Sequence, residues 1–329
     1  MQEILAKAAD WVRDGRSFAM ATVVATSGSA PRDVGASMIV SADGEAFGNV
    51  SGGCVEGAVY GTALEVIADG AARIERFGYS DADAFAIGLT CGGEVEVLVR
   101  PVPAGSDAAR DVALLAERAS AGMPTRLVFT AAGRMFVGDA DEVGVVVDVV
   151  APPRLVIVGA VEFAVALSAL AQAAGMRVTV VDARSVFATA DRFPGAEVIV
   201  DRPGRYLEAQ RLGAHDAVCV LTHDAKFDVP ALSAALAAPV GYVGAMGSRR
   251  THDDRLGRLR EAGVTDAALS RLRSPIGLDL GGRTPAETAV SILAEIVADR
   301  HGGSGTRLST QTGPIHAAAA CAMPAASVR

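Results

Sequence analysis

A mixed α/β chain in two parts, the second a Rossmann-like doubly wound parallel sheet, follows from three observations. Residues 155–243 alternate short apolar runs with helix-patterned stretches, the pattern of parallel strands linked by helices. The pair Pro152-Pro153 stands just ahead of the first run, where neither a helix interior nor a central strand tolerates it. Residues 1–151 mix helical and strand periodicities without regular alternation, which predicts a separate α/β domain. The expected division is 1–151, 152–300 and a flexible tail over 301–329, where Gly, Ser, Thr and then Ala dominate.

Taken in order, residues 2–14 form an amphipathic helix with Ile4, Leu5, Ala8 and Val12 on one face. Strands are expected at 19–25, 37–40 and 45–50, then a helix over 55–68. Strands at 73–77 and 94–100, a helix over 107–120, and strands at 126–130 and 144–149 complete the first part. In the second part, strands fall at 155–159, 177–182, 197–200, 217–221 and 240–243. Helices are expected over 162–174, 205–212, 229–237, 253–262 and 285–299.

Composition excludes several classes of function. The 329 residues carry 38 acidic and 30 basic side chains, a formal net charge of −8. Nucleic-acid binding needs a basic stripe to neutralise phosphates, and aromatics, at 5%, are too sparse for base stacking. Mean hydropathy is +0.33, yet charged residues and prolines interrupt the longest apolar stretch before it reaches spanning length. The N-terminus lacks a basic segment followed by an apolar one, so no secretory signal is expected. Four scattered cysteines do not make a disulfide scaffold, so a reducing, cytoplasmic setting is expected.

Glycine turns carry the chemistry. Ser51-Gly52-Gly53-Cys54 places a cysteine where a strand passes into a helix, and free backbone N–H groups there would favour the thiolate. Such a sulfur suits a soft metal or nucleophilic role; the plain alternative is a small hydrophobe packing a tight turn. Thr90-Cys91-Gly92-Gly93 repeats the theme, and Arg32 closes a Ser/Gly loop that could cradle an anion. No Cys/His zinc spacing is present. In the second part, Gly159-Ala160-Val161-Glu162-Phe163-Ala164 matches the dinucleotide fingerprint except at its middle glycine, replaced by Val161. Asp182, at the end of the second strand, matches the acidic ribose ligand, so NAD(P) binding and an NAD(P)-dependent oxidoreductase form the competing reading. A second anion candidate is the turn containing Gly244, Gly247, Ser248 and Arg249.

Together, residues 25–32, 51–56, 90–93, 242–250 and 274–279 resemble the XdhC/CoxI family, xanthine dehydrogenase accessory proteins, over nearly the whole chain to about Ile315. That resemblance implies a chaperone rather than an enzyme. It would bind molybdenum cofactor (molybdopterin), protect it during sulfuration by a cysteine desulfurase, and help insert it into a molybdenum hydroxylase apoenzyme. Cys54 aligns with the family's cysteine motif and is the residue expected to touch the metal centre. A homodimer is expected.

Overall fold

A computed structural model of the chain describes residues 1–27, 30, 32–78, 94–130, 134–138, 144–149 and 151–312. It divides into two compact units, Met1–Ala151 and Pro152–Thr310.

The first unit runs α1 (Gln2–Arg13), β1 (Phe18–Ser27), β2 (Ser37–Ser41), β3 (Ala46–Gly48), α2 (Glu56–Asp69), β4 (Arg73–Phe77), β5 (Glu94–Val102), α3 (Asp107–Ser120), β6 (Thr125–Thr130), β7 (Met135–Val137) and β8 (Gly144–Val149). Its strands form an antiparallel sheet in the order β3-β2-β1-β5-β4 and a smaller one in the order β7-β6-β8. Strand side chains alternate between faces, so β1 supplies two cores. Ala19, Ala21 and Val23 pack with Val55, Val59, Ala63 and Val66 along α2. Phe18, Met20 and Val24 join Ile4, Leu5 and Trp11 of α1 and Val112 and Leu115 of α3. Val24 keeps the alternation of Phe18 and Met20, and the register against β5 shifts across it, between Val23 and Ala25. The helix ends follow local chemistry: Ser106 caps α3 by accepting from Ala109 N, and Gly70 ends α2 in the left-handed region at φ +74°.

The second unit runs β9 (Arg154–Val158), α4 (Glu162–Ala173), β10 (Arg177–Asp182), β11 (Glu197–Val200), α5 (Pro203–Glu208), β12 (Ala217–Val220), α6 (Ala225–Ala237), β13 (Tyr242–Ala245), α7 (Arg249–Glu261), α8 (Asp266–Leu269), β14 (Leu272–Arg273) and α9 (Pro285–His301). All six strands are parallel, in the order β11-β10-β9-β12-β13-β14. That is the doubly wound order, with its reversal between β9 and β12. Leu155 and Ile157 face a core shared with α4 and α9, while Val156 and Val158 face one shared with α6 and α7. Burial on both sides explains why these strands read as unbroken apolar runs. A capping box of Thr284 and Glu287 starts α9, and Gly302 ends it at φ +68°.

The expected elements differ from these in a few places. Helix α6 begins at Ala225 rather than 229 and α7 at Arg249 rather than 253, while β7, α8 and β14 are additional to the expected set. Residues 302–312 are exposed, and the remainder of the expected tail, 313–329, lies outside the described residues. No helix among the described residues is long and apolar enough to cross a membrane.

Ile157 is fully buried in the central strand, whereas Val290 on α9 is half exposed. Ile157→Ala should lower stability in urea unfolding by about 2–5 kcal/mol. Val290→Ala should change it by less than about 0.5 kcal/mol; equal effects would contradict the described core.

Candidate functional site

Cys54 stands immediately before α2, in a turn organised around the first residue of that helix. The Glu56 carboxylate accepts from the backbone amides of Val50 (3.2 Å), Ser51 (2.8 Å), Gly52 (3.0 Å), Gly53 (2.8 Å) and Val55 (3.2 Å), and from Ser51 Oγ at 2.6 Å. Ser51 Oγ in turn accepts from Cys54 N at 3.0 Å and Val55 N at 3.1 Å. Burial alone would raise the Glu56 pKa, but the Ser51 hydroxyl and the ring of amides overcome it and hold the value at about 2. The expectation of free backbone donors beside Cys54 is therefore corrected. Ser51, Gly52 and Gly53 give their amides to Glu56 and are not vacant anion ligands in this conformation.

The two glycines serve backbone geometry instead. Gly52 and Gly53 lie at φ +82° and +124°, which disfavours side chains, and a Cβ built on either would meet nothing within 4 Å. Cys54 is half-buried, is not in a disulfide, and rests against the same apolar core as Ala30. The loop ending in Arg32 and the cysteine turn thus share one support. Arg32 is partly buried and has an interaction of its own. Cys91 lies outside the described residues.

In the second unit, Gly159 follows β9 at φ +104°, and a Cβ there would press on Thr222 beyond β12. The glycine is required by strand-end packing whether or not a ligand is bound. Asp182, 2% exposed, accepts from Ala160 N at 2.8 Å and Arg184 N at 2.9 Å. It also takes Nε and Nη2 of Arg184 at 2.9 and 2.7 Å. Burial would raise its pKa, but Arg184 and the Ala160 amide hold it below the usual carboxylate range. Its oxygens accept from the turn and from Arg184 in this structure. Glu162 is bound by Arg192 at 2.6 Å, and Arg192 also donates to the Ala160 carbonyl at 2.8 Å. Val161, which replaces the middle glycine of the dinucleotide fingerprint, is the N-cap of α4.

The turn from β13 to α7 also differs from expectation. Gly244 is a buried strand residue whose missing side chain admits Ile276. Gly247 packs against Thr251, and Ser248 is used as the N-cap, accepting from Thr251 N at 3.1 Å. Arg249 and Arg250 are exposed.

Behind this turn lies a buried cluster that sequence reasoning does not reveal. Thr222 donates to Asp228, and Arg255 Nη2 reaches Asp228 at 3.3 Å and the Met246 carbonyl at 2.8 Å. Arg255 Nη1 reaches Ser274 Oγ at 3.1 Å. Burial pushes the Asp228 pKa up, against the Thr222 hydrogen bond and the Arg255 charge. The cluster ties together the chain segments leaving β12, β13 and β14. Its members are far apart in sequence, so only the sheet order brings them into view. Among the described residues, no group of three or more His, Cys, Asp or Glu side chains could hold a metal ion.

Comparison with known proteins points to one family. Residues 11–78 match the model of the XdhC and CoxI family, and residues 155–296 match that of the XdhC Rossmann domain. The chain is 31% identical to the molybdenum cofactor insertion chaperone PaoD of Escherichia coli (strain K12), covering 90% of this chain and 88% of that protein. It is 27% identical to a probable xanthine dehydrogenase subunit from Bacillus subtilis (strain 168), covering 88% of this chain and 95% of that protein. The solved structure of a protein described as a xanthine dehydrogenase from Bacillus halodurans has the same fold, with a TM-score of 0.74 at 23% identity over 92% of this chain and 98% of that one.

Two stability measurements probe these turns. Glu56, with its folded pKa near 2 against an ordinary 4.5, stabilises fully above pH 4.5, and that stabilisation is lost as pH falls towards 2. Glu56→Gln should therefore be less stable than wild type at neutral pH, and the gap should close through that window. A gap independent of pH would contradict the assignment. Arg255→Met should lower stability by about 3–5 kcal/mol in urea unfolding, because it strands a buried carboxylate; a loss below about 0.5 kcal/mol would remove the cluster from the account.

Proposed function

The chain belongs to the XdhC and CoxI family, and from that premise we propose that it is a chaperone for molybdenum cofactor. It receives the cofactor, shields it while a cysteine desulfurase supplies sulfur, and passes it to the apoenzyme of a xanthine dehydrogenase-type molybdenum hydroxylase. The observation that carries this reading is the Cys54 turn. A half-buried, non-disulfide cysteine stands in a loop whose backbone is fixed by Glu56. The name of the Escherichia coli relative, 31% identical over most of both chains, supports the same cargo.

The chemistry fits a carrier. Thiolate sulfur is a soft ligand, suited to a metal already bound to sulfur, and can take a vacant coordination position without redox change in the protein. Arg32, near the end of the loop whose Ala30 rests on the same core, supplies positive charge for the anionic part of the cofactor. Glu56 acts through the loop: by binding its amides it fixes where the sulfur stands. Release requires an exchangeable bond, which a single protein ligand provides better than a closed metal site.

An NAD(P)-dependent oxidoreductase is the weaker reading. Its phosphate seat would have to form at Val161, and its ribose ligand would be Asp182, already committed to Arg184 and Ala160 N. Loading purified protein with molybdenum cofactor and removing unbound cofactor by gel filtration tests the proposal. Wild type should retain cofactor and Cys54→Ala should retain much less. Equal retention by both would take Cys54 out of the mechanism, and retention by neither would overturn the chaperone reading.

A further inference from the structure

The second unit has a cleft of about 750 Å³ that no part of the proposed function uses. It lies at the amino edge of the sheet, beside the residues that open β9, β10 and β11, and α5 bounds it through Tyr206 and Gln210. Ligands of doubly wound sheets approach the other, carboxyl edge. The cleft is therefore separate from the turns that follow β9 and β13. It exists because α5 has only six residues and packs against α6, which leaves Arg177 and Glu197 at the starts of β10 and β11 exposed.

Strand register concentrates positive charge there. Arg154 and Arg177 are the first residues of β9 and β10 and are partners in a parallel pair. Their side chains therefore leave the same face of the sheet, on strands about 4.8 Å apart. Like charges set opposite one another on neighbouring strands repel. Among the described residues, neither guanidinium is paired with a carboxylate. Arg154 is held by neutral oxygens instead, Nη2 donating to Gln210 Oε1 at 2.7 Å and Nη1 to the Arg211 carbonyl at 3.4 Å. Arg177 is exposed. Asp216, just ahead of β12, accepts from the amides of Arg154 and Gly213, each at 2.9 Å. Glu197, the acidic residue among those lining the cleft, accepts from Thr179 Oγ1 at 3.0 Å. Two fixed cations thus meet one carboxylate, and the cleft is left positive on a chain whose net charge is −8.

The remaining lining selects the kind of anion. The Tyr206 hydroxyl makes no hydrogen bond among the described residues and can donate. Gln172 Nε2 is taken by the carbonyls of Ser168 and Pro194, at 3.2 and 3.1 Å, which leaves its Oε1 as an acceptor. Gly195 makes room for that oxygen, since a Cβ there would collide with it. A polypeptide bearing carboxylates would find donors for its acids in the arginines and Tyr206, and an acceptor for a backbone N–H in Gln172. A single compact anion would leave most of about 750 Å³ unfilled. A nucleic acid carries a charge every ~1.7 Å of duplex axis and would be repelled by the rest of this acidic chain.

From these features we infer that the amino-edge cleft docks an acidic, extended peptide segment of a partner protein, with its carboxylates on Arg154 and Arg177. Recognition of a partner chain would then be a task of the second unit that needs no cofactor, and it does not depend on what Cys54 holds.

Fluorescence anisotropy of the full chain with a short labelled peptide of alternating Glu and Gly tests this. The Glu peptide should bind saturably, and its Gln counterpart at least about tenfold more weakly. Arg177→Ala should weaken binding and Arg177→Glu should weaken it further, both with unchanged melting temperatures because the side chain is exposed. Arg202→Glu, the same charge change on an exposed residue at the opposite edge, should leave binding unchanged. Equal losses in Arg177→Glu and Arg202→Glu would reduce the effect to overall charge and overturn the proposal. No saturable binding at millimolar peptide would overturn it, as would equal affinity for the Gln peptide. Displacement of the peptide by an equal concentration of citrate would make the cleft a small-anion site, and displacement by a single-stranded oligonucleotide would make it a phosphate-chain site. Either result would overturn the acidic segment as its ligand.

Discussion

Five backbone amides between Val50 and Val55 converge on the carboxylate of Glu56, which is also the first residue of α2. A turn with two successive glycines in the left-handed region would otherwise expose those donors and sample many conformations. The carboxylate removes that freedom. It also places negative charge at the positive end of the helix, where it is favoured. Cys54 is therefore held by a network that does not need a ligand to form. The backbone that carries Cys54 is set by the protein itself. Pre-organisation of this kind lowers the ordering cost of binding.

The same device recurs in the second unit. Asp182 satisfies the Ala160 amide and is itself satisfied by Arg184, while Arg192 bridges Glu162 and the Ala160 carbonyl. Donors that face a pyrophosphate in a dinucleotide-binding protein face protein carboxylates here. The Thr222–Asp228–Arg255 cluster does equivalent work at the ends of the later strands, joining segments that would otherwise be separate loops. Fold alone therefore says little about what this edge binds.

Much of the architecture is legible in the sequence because its period is strong. Strands β4, β8, β10 and β11 and helix α3 occur with the bounds read from apolar runs and caps. Helix α6 starts earlier than expected, with Asp224 as its N-cap and Pro230 about one and a half turns inside. Strand β14 has two residues and β7 three, too few for an alternating pattern to stand out. Of the site, Cys54 and its glycines are legible as a motif, but the destination of their amides is not. Nothing in the spacing Ser51-Gly-Gly-Cys-Val-Glu56 tells whether the carboxylate turns back into the loop or out to solvent. Gly244 resembles a ligand turn, yet its neighbour Ile276 comes from a segment over thirty residues later. Three-dimensional proximity decides each of these cases.

The central claim is that Cys54, fixed by Glu56, is the protein's sulfur ligand to the molybdenum of its cargo. X-ray absorption at the molybdenum edge, on protein loaded with cofactor, reads this directly. Wild type should show a sulfur scatterer beyond those the cofactor brings, absent from a Cys54→Ser sample loaded to the same level. Superimposable spectra from the two proteins would contradict the account, because the cargo would then be held without Cys54 touching its metal.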